Sequence, residues 1–405
     1  MPIICSLFKM LKENILPLSS KIFYSFRRRD KRIWVFGEWF GNRCCDNCLY
    51  FANYLSQNHS DLQLYWITSK TTDLSSLSKN VARVEKDTPH AASVLKKAGV
   101  VIYVQGMSDI TKDSILYYSG ALVINLWHGV PWKKIGVDKE KSAKGRQLFY
   151  MRMQYSLYGS KYYLALSKEF SNILKKAYYC DDQNIIKAGY PRNTLFYDKG
   201  SLASCRNKLV DYLKVHYHAE LDDSVRFICY MPTFRDHVND IFSFMKEVNT
   251  DLLDLLERHN AVILEKSHYV TENRSNAVID KGKRIYRISG DFIAQELLGA
   301  SDVLITDYSS CFFDYLLLDR PIIHFLYDYK YYENDDRGLY YKKEDVVCGD
   351  VAENMNQLIC ALRENLDNPE KDKAVRDKRK HFYMEYESSQ ACQQVYQFIM
   401  GRLNN

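Results

Sequence analysis

The sequence lacks a long apolar run. No stretch approaches the roughly 18 to 20 consecutive apolar residues that a helix needs to cross a bilayer. The N-terminus also differs from a cleavable signal peptide, because Lys9, Lys12, Glu13 and Asn14 interrupt its apolar residues. These absences argue against both an integral membrane protein and a secreted one.

Motifs that bind nucleotides or metals in many enzymes are also missing. P-loop spacing is absent, no Gly-x-Gly-x-x-Gly follows a predicted strand, and no Asp-x-Asp triplet occurs. Cys44, Cys45 and Cys48 cluster without a second Cys or His pair at zinc-site spacing, so we interpret them as small residues packed near a loop. The eleven cysteines are odd in number and scattered, which predicts reduced thiols inside the cell. The sequence therefore implies no metal and no required cofactor.

Positive charge is concentrated at one end of the chain. The 56 Lys and Arg residues exceed the 50 Asp and Glu residues, which gives a net charge of +6. Residues 1–32 contain eight bases and two acids and so hold the whole surplus. The neutral remainder offers no extended basic face, which argues against a nucleic-acid partner.

The charged end has helical periodicity. Apolar side chains recur at helical spacing, with Pro17 expected to kink or split the helix, at Leu7, Phe8, Leu11, Ile15, Leu18, Ile22 and Phe26. A basic cluster follows, formed by Arg27, Arg28, Arg29, Lys31 and Arg32. This pattern favours residues 1–31 as a peripheral segment on the anionic cytoplasmic face of the cell membrane. A helix docked on the protein with a solvated charge run, or a nucleic-acid arm, is the alternative.

The rest of the chain alternates short apolar runs with amphipathic stretches. Strands are predicted at residues 32–37, 62–67, 100–104, 121–126, 226–230, 261–265, 303–306 and 321–325. Helical stretches between them predict an α/β fold with two facing Rossmann-like, doubly wound domains and a ligand cleft between them. We expect an acceptor-side domain at 32–205, a donor-binding domain at 206–385, and a C-terminal helix at 386–405 that packs back across the domains.

Polar clusters follow four of the predicted strands. In the first cluster, His128 suits a general base near neutral pH, Gly129 permits close backbone approach, and Lys133 or Lys134 suits phosphate. A structural histidine that caps the next helix is the alternative interpretation.

The second cluster contains Thr233 and Arg235, a hydroxyl and a guanidinium suited to phosphate. A turn with a surface ion pair would also explain it. The third cluster places Lys266 before His268, where a lone histidine is usually a satisfied polar residue.

The fourth cluster runs from Thr306 to Ser310 and opens a predicted helix. Ser309 and Ser310 are expected at the helix N-terminus, where free N–H groups and the dipole attract phosphate. Capping alone would explain one serine but not the whole polar turn, which also includes Thr306 and Asp307. Arg337 adds a further arginine in a later loop.

In this order, the clusters resemble the CDP-glycerol glycerophosphotransferase family of teichoic acid and capsule biosynthesis. The matching segments are Trp127–Pro131 with Lys133, Gly189–Asn193, Pro232–Arg235, Thr306–Ser310 with Asp314, and Arg337–Tyr340. Asp46 and Asn47, after Gly41, also look like the first-domain loop of that family. The sequence departs from the family pattern at Thr194, where Asp is frequent, and at Tyr269, where Pro is usual.

The resemblance implies a GT-B fold and transfer of an alditol phosphate from CDP-glycerol or CDP-ribitol, with release of CMP. It implies a lipid-linked (polyprenyl diphosphate) saccharide or polymer as acceptor, and His128 and His268 as the catalytic histidines. The donor and its phosphates would then meet Thr233, Arg235, Lys266, Thr306, Asp307, Ser309, Ser310 and Arg337. The nucleobase would lie near Arg287 and Ile288, in a loop after a strand, and the acceptor near Asp46, Asn47, Gly129, Lys133 and Arg192.

Our hypothesis is that His128 takes a proton from the attacking acceptor hydroxyl while Arg235, Ser309, Ser310 and Arg337 stabilise the diphosphate. His268 would protonate or hydrogen-bond the leaving phosphate. Two alternatives remain. One is a GT-B glycosyltransferase that uses a nucleotide sugar, and the other is a non-catalytic protein that binds the membrane surface.

Overall fold

The computed structural model of the chain describes residues 16–113, 115–139, 145–233, 242–266, 284–329 and 338–404. The chain divides into two compact units. The first unit comprises the described residues up to 128, residues 136–194 and those from 386 onward, and the second comprises 129–135 and 195–385.

Both units alternate strands and helices. The strands are β1 (Asp30–Phe36), β2 (Gln63–Thr68), β3 (Ala82–Glu85), β4 (Ala98–Tyr103), β5 (Leu122–Asn125), β6 (Tyr162–Ala165), β7 (Ile185–Lys187), β8 (Arg226–Met231), β9 (Ala261–Lys266), β10 (Ile285–Ile288), β11 (Val303–Thr306), β12 (Ile322–Phe325) and β13 (Asp350–Ala352). The helices of the first half are α1 (Leu16–Ser25), α2 (Asn47–Asn58), α3 (Pro89–Lys97), α4 (Arg146–Tyr158), α5 (Lys168–Tyr178) and α6 (Lys199–Tyr217). Those of the second half are α7 (Phe244–Glu247), α8 (Thr250–Arg258), α9 (Ala294–Ala300), α10 (Cys311–Tyr315), α11 (Lys343–Val346), α12 (Met355–Asp367), α13 (Lys373–Tyr383) and α14 (Ala391–Asn404).

The first unit contains a seven-stranded parallel sheet in the order β3-β2-β1-β4-β5-β6-β7. Strand β4 is apolar along its whole length and buried at every position, as expected of a parallel strand covered on both faces. Helices α3 and α5 begin at N-cap residues whose side chains accept a hydrogen bond from the first turn. Thr88 accepts a hydrogen bond from Ala91 N at the start of α3, and Ser167 accepts one from Phe170 N at the start of α5. The strand order reverses between β1 and β4, where doubly wound sheets bind ligands.

The second unit contains a six-stranded parallel sheet in the order β10-β9-β8-β11-β12-β13, which reverses between β8 and β11. The predicted α/β class with two doubly wound parallel sheets is confirmed, and all eight predicted strands are present. The five strands that the sequence did not predict (β3, β6, β7, β10 and β13) have three or four residues each and lie at or next to sheet edges. Their short apolar signals are too weak to stand out from the surrounding loops.

The chain passes between the units at a different place from the expected boundary at 205. Residue 205 falls inside α6, and the division lies between Thr194 and Leu195. Gly299 of α9 lies so close to α6 that an added Cβ would be 3.2 Å from Leu202 Cδ2, so the helix packs as part of the second unit. Helix α14 belongs to the first unit, in which the ring of its Tyr396 lies 6.0 Å from that of Trp34.

The described part of the N-terminal segment packs on the rest of the first unit, but not through its predicted apolar stripe. Pro17 and Ser20 of α1 are buried, and Ser20 Oγ accepts a hydrogen bond from Leu116 N at 2.9 Å. By contrast, Leu18, Ile22 and Phe26 of the predicted apolar stripe are 52%, 55% and 87% exposed. Among the described residues, none of the helices combines the length and apolar character needed to cross a bilayer.

The basic cluster after α1 is not uniformly solvated, which differs from the alternative interpretation of a solvated charge run. The Arg29 guanidinium donates to the carbonyl oxygens of Leu95, Tyr24 and Tyr117 at 2.8–3.0 Å. Lys31 donates to the carbonyl of Leu403, and Arg32 pairs with Asp30 at 3.3 Å. Of the five bases, Arg29 is partly buried, whereas Arg27, Arg28, Lys31 and Arg32 are exposed.

Candidate active site

His128 lies just after β5, at the carboxyl edge of the first sheet. Its Nδ1 is 3.0 Å from the carbonyl oxygen of Val104, so the Nδ1–H tautomer donates there and leaves Nε2 as a proton acceptor. Trp127 stacks on the imidazole with ring centroids 5.1 Å apart, and Trp39 meets it edge-on at 6.2 Å. Burial lowers the pKa of His128, while the hydrogen bond to Val104 acts in the opposite direction. The neutral imidazole that results is the form a general base requires.

The turn that carries His128 is held in an uncommon backbone conformation. Trp127 has φ +59°, a left-handed conformation that non-glycine residues rarely adopt, and Gly129 has φ +149°. Asn125 Oδ1 accepts a hydrogen bond from Trp127 N at 2.8 Å. Asn47 Nδ2 donates to the carbonyls of Leu126 at 3.2 Å and Trp127 at 2.9 Å. Asn47 therefore fixes the turn from the side of α2.

A buried ion pair supports the same turn. Arg192 Nη1 lies 2.7 Å from Asp46 Oδ1 and also donates to the carbonyl of His128 at 3.1 Å. The Arg192 backbone N–H donates to Asn47 Oδ1 at 3.1 Å. Asp46, Asn47 and Arg192 are predicted on the acceptor side, but in the structure all three are buried and hold the His128 turn. Their contacts position the turn that carries His128.

Sequence inspection missed two buried carboxylates beside this turn. Glu38 Oε1 accepts hydrogen bonds from the backbone N–H groups of Cys45 and Asp46, and burial, with the nearby charge of Asp46, raises the pKa of Glu38 well above its usual range. Asp109 accepts from the backbone of Phe40 at 2.8 Å and of Gln105 at 2.8 Å. Burial also raises the pKa of Asp109. The signal that could have found them is their position in the loops after β1 and β4, at the strand-order reversal.

These carboxylates hold a strained loop after β1. Trp39, Phe40 and Gly41 have consecutive φ values of +48°, +60° and +80°. The same loop presents the Phe40 ring to solvent, 47% exposed, next to the tryptophan that touches His128.

In the second unit, Asp307 joins the ends of the two strands at the reversal. Its Oδ1 accepts hydrogen bonds from Thr233 N at 2.8 Å and Tyr308 N at 2.6 Å. Thr306 Oγ1 donates to the carbonyl of Met231 at 2.7 Å. The structure thus brings Thr233 of the second cluster together with Thr306 and Asp307 of the fourth, at the carboxyl ends of β8 and β11.

Ser309 and Ser310 follow this junction and are partly buried. Helix α10, which they precede, has only five residues, and the Ser310 side chain makes no capping hydrogen bond. A helix this short carries a small dipole, so the expected dipole contribution is minor and any anion must be bound mainly by hydroxyl and N–H groups.

Residues 129–135, which follow His128 in its motif, belong to the second unit. Trp132 packs against Tyr308 with centroids 5.6 Å apart, and its carbonyl accepts from Tyr340 N at 2.8 Å. Lys133 forms an antiparallel bridge with Leu339. Gly129 and Lys133, which we expected on the acceptor side, therefore lie in the unit that was expected to bind the donor.

Lys266 has a different role from the predicted one. Its ammonium group is buried and donates to the carbonyls of Ser289 at 2.9 Å, Gly290 at 3.1 Å and Phe292 at 2.6 Å. Three carbonyl oxygens occupy its three N–H donors, so Lys266 holds the 289–292 loop instead of binding phosphate.

The proposed nucleobase residues lie in a strand and not in a loop. Arg287 and Ile288 belong to β10, and the Ile288 side chain is fully buried in the core. Arg287 Nη2 is 3.9 Å from Glu265 Oε1. Ser289 to Phe292 form the loop that follows this strand, and Ser289 N donates to Tyr212 Oη at 3.1 Å.

Arg235, His268 and Arg337 lie outside the described residues, so their predicted roles stay predictions. Within the described part of the chain, no group of three or more His, Cys, Asp or Glu side chains is arranged to bind a metal ion.

Comparisons with known proteins find similarity over most of the chain. A family model described as CDP-glycerol:poly(glycerophosphate) glycerophosphotransferase matches residues 20–401. A teichoic acid glycerol-phosphate transferase of Staphylococcus aureus is 28% identical over 382 residues, which cover 91% of this chain and 93% of that protein. The teichoic acid ribitol-phosphate polymerase TarL of the same species is 26% identical over 69% of this chain but only 48% of its own length.

A solved structure is similar as well. The wall teichoic acid polymerase TagF, soaked with CDPG, matches 98% of this chain and 96% of that chain with a TM-score of 0.76 and 20% identity. This likeness confirms the predicted GT-B-like fold class.

Proposed function

Because the chain belongs to the CDP-glycerol:poly(glycerophosphate) glycerophosphotransferase family, we propose that it transfers glycerol phosphate from CDP-glycerol to a lipid-linked acceptor in teichoic acid synthesis and releases CMP. The observation that carries this proposal is the state of His128. Its Nδ1 is committed to Val104, its pKa is lowered by burial, and its Nε2 is left as an acceptor at the ligand-binding edge of the sheet.

In the proposed reaction, an acceptor hydroxyl attacks the glycerol-bearing phosphorus of CDP-glycerol. His128 Nε2 takes the hydroxyl proton as the new O–P bond forms, and the P–O bond to CMP breaks with its electron pair leaving on CMP. The hydroxyl groups of Ser309 and Ser310 support the diphosphate charge, together with Arg235 and Arg337. His268 protonates or hydrogen-bonds the departing phosphate.

Glycerol is the alditol that we propose, because a teichoic acid glycerol-phosphate transferase matches this chain over 93% of its own length. A ribitol-phosphate polymerase is also similar to this chain. CDP-ribitol is therefore the second donor to test.

The proposed site of action is the cytoplasmic face of the membrane, with the protein bound peripherally. Leu18 and Ile22 of α1 and Phe26 just after it are exposed, and Arg27 and Arg28 follow directly at the surface. A helix that exposes its apolar stripe beside cations suits an anionic lipid surface. This observation favours the membrane over the alternative of a helix whose apolar side is docked on the protein.

The test measures CMP release from CDP-glycerol with a lipid-linked acceptor. His128→Ala should lower the rate by about 10² to 10⁴, the usual contribution of a general base. His90→Ala is the matched control, because His90 is an exposed histidine of α3 in the same unit and should leave the rate unchanged. Unchanged turnover in His128→Ala would refute the assignment.

The products separate the alternatives. Mass spectrometry should find the donor phosphorus retained in the extended acceptor and CMP in solution. A glycosyltransferase would release a nucleoside diphosphate instead, and a non-catalytic binding protein would release neither.

A further inference from the structure

The first unit contains a cavity at the edge of the sheet opposite His128. Its volume is about 530 Å³. Ser119 to Ala121 line it just before β5, Ser160 and Lys161 just before β6, and Asn184 just before β7. These are the amino ends of parallel strands, whereas His128 follows the carboxyl end of β5. The cavity is therefore separate from the proposed active site.

The cavity walls are cationic. Lys21 of α1, Arg152 of α4 and Lys161 contribute positive charge, and the described lining includes no Asp or Glu. Phenol groups complete the walls, from Tyr118, Tyr155, Tyr163, Tyr178 and Tyr179. The Arg152 guanidinium lies 5.4 Å from the centroid of the Tyr179 ring. Guanidinium, ammonium and hydroxyl donors around one space are the groups that bind phosphate oxygens.

The two helices that supply Lys21 and Arg152 also expose large apolar side chains. On α1, Ile22 and Phe23 follow Lys21 and are 55% and 59% exposed. On α4, Phe149 is 71% exposed and Met153 is 40% exposed. The helices contact each other, so these exposed apolar side chains lie on two neighbouring helices of the unit. Apolar groups beside cations are typical of a surface that enters the head-group region of an anionic bilayer.

We propose that this cavity binds the phosphate of an anionic phospholipid head group while the exposed side chains of α1 and α4 enter the lipid interface. The inference rests on the proposed action at the membrane and gives that contact a specific ligand. Dissolved phosphate shares the anion chemistry, but it offers nothing to the apolar side chains around the cavity. A phospholipid accounts for both the cationic cavity and the exposed apolar side chains.

The experiment measures binding of the full chain to phosphatidylcholine vesicles with and without phosphatidylglycerol. The test variant is Arg152→Gln/Lys161→Gln, which removes two cavity cations. Each cation near an anionic surface strengthens binding about fivefold, so loss of two should weaken vesicle binding about 25-fold. The matched control is Lys70→Gln/Lys79→Gln. It removes two exposed lysines that follow the carboxyl end of β2, away from the cavity. This control has the same net charge as the test variant, and we expect it to bind vesicles as the wild type does.

Three outcomes would overturn the inference. The first is vesicle binding by the cavity variant equal to that of the wild type. The second is an equal loss in the control, which would indicate net charge alone. The third is calorimetric binding of inorganic phosphate or sn-glycerol 3-phosphate as tight as binding to vesicles, which would assign the cavity to a dissolved ligand.

Two further measurements keep the result interpretable. Thermal unfolding of Arg152→Gln/Lys161→Gln checks that the variant is folded, and single substitutions replace it if it is not. His128→Ala should bind vesicles as the wild type does while releasing little CMP. Failure of the proposed reaction therefore shows in CMP release, and failure of the lipid site shows in vesicle binding.

Discussion

Breaking the Arg192–Asp46 ion pair should change both stability and the pH dependence of the reaction. Their side chains are 8% and 5% exposed, and the paired atoms are 2.7 Å apart. Arg192→Gln leaves the Asp46 carboxylate buried without its cation, which costs about 3–5 kcal/mol of unfolding free energy. Asp46→Asn leaves the guanidinium in the same position and should cost a similar amount. The double variant removes both charges, so its cost should fall short of the sum by about 0.5–3 kcal/mol.

Tryptophan fluorescence during denaturant unfolding provides the stability readout. Trp34, Trp39, Trp66 and Trp127 lie in the first unit, and Trp132 lies in the second. The signal therefore follows mainly the unit that contains the ion pair. A Trp132→Phe background removes the remaining contribution and serves as the common reference for the three variants.

The pH profile distinguishes positioning from simple stabilisation. Burial lowers the pKa of His128, the hydrogen bond to Val104 and the charge of Asp46 raise it, and the charge of Arg192 lowers it. Arg192→Gln should therefore raise the pKa of His128, and Asp46→Asn should lower it. Because the base acts when deprotonated, the acid limb of kcat/KM should move to higher pH in the first variant and to lower pH in the second.

Two results would refute this reasoning. Additive stability changes would mean that the two side chains are not coupled. Acid limbs that shift in the same direction would mean that the charges do not act on His128. In addition, displacement of the His128 turn should lower kcat by about 10²-fold, because small misplacements of catalytic groups are that costly.

Three other changes test the rest of the structure. Lys266→Met leaves three carbonyls of the 289–292 loop without their donor and should cost about 1–3 kcal/mol in denaturant unfolding. Asp307→Ala removes the acceptor shared by Thr233 N and Tyr308 N and should weaken calorimetric binding of CDP-glycerol, whereas unchanged binding would separate this junction from the donor site. Burial lowers the pKa of His324 to about 4 from 6.5, so the unfolded chain binds the proton first as pH falls. Stability should drop between about pH 6.5 and pH 4 by about 3 kcal/mol, and His324→Gln should remove that part of the pH dependence.

The local pattern of the sequence predicts the central strands of both sheets. Residues 303–306, for example, form an apolar run that is predicted and observed as β11, and the polar turn after it holds Asp307 at the strand-order reversal. A buried parallel strand needs a continuous apolar segment, and such a segment is visible in any one sequence. His128 and Asp307 were found for the same reason, since each directly follows such a strand.

Side-chain partners across long chain separations were not visible in this way. Lys266 resembled a phosphate ligand because it follows a strand, but three carbonyls from the loop after β10 occupy its ammonium group. Arg29 resembled one more surface base, but the carbonyls of Leu95 and Tyr117 bind it. In both cases the chain order is compatible with either role, and the fold selects one.

The sequence by itself determined the fold class, the position of the candidate base His128 and the placement of the charge surplus in residues 1–32. Each depends on neighbouring residues, through periodicity, strand ends or composition. Only the tertiary structure decided that Asp46 and Arg192, 146 positions apart, form the buried pair that holds His128. It also decided that the amino edge of the first sheet encloses a cationic cavity beside exposed apolar helices. Burial and charge pairing are properties of residues that meet only after folding, so no local pattern encodes them.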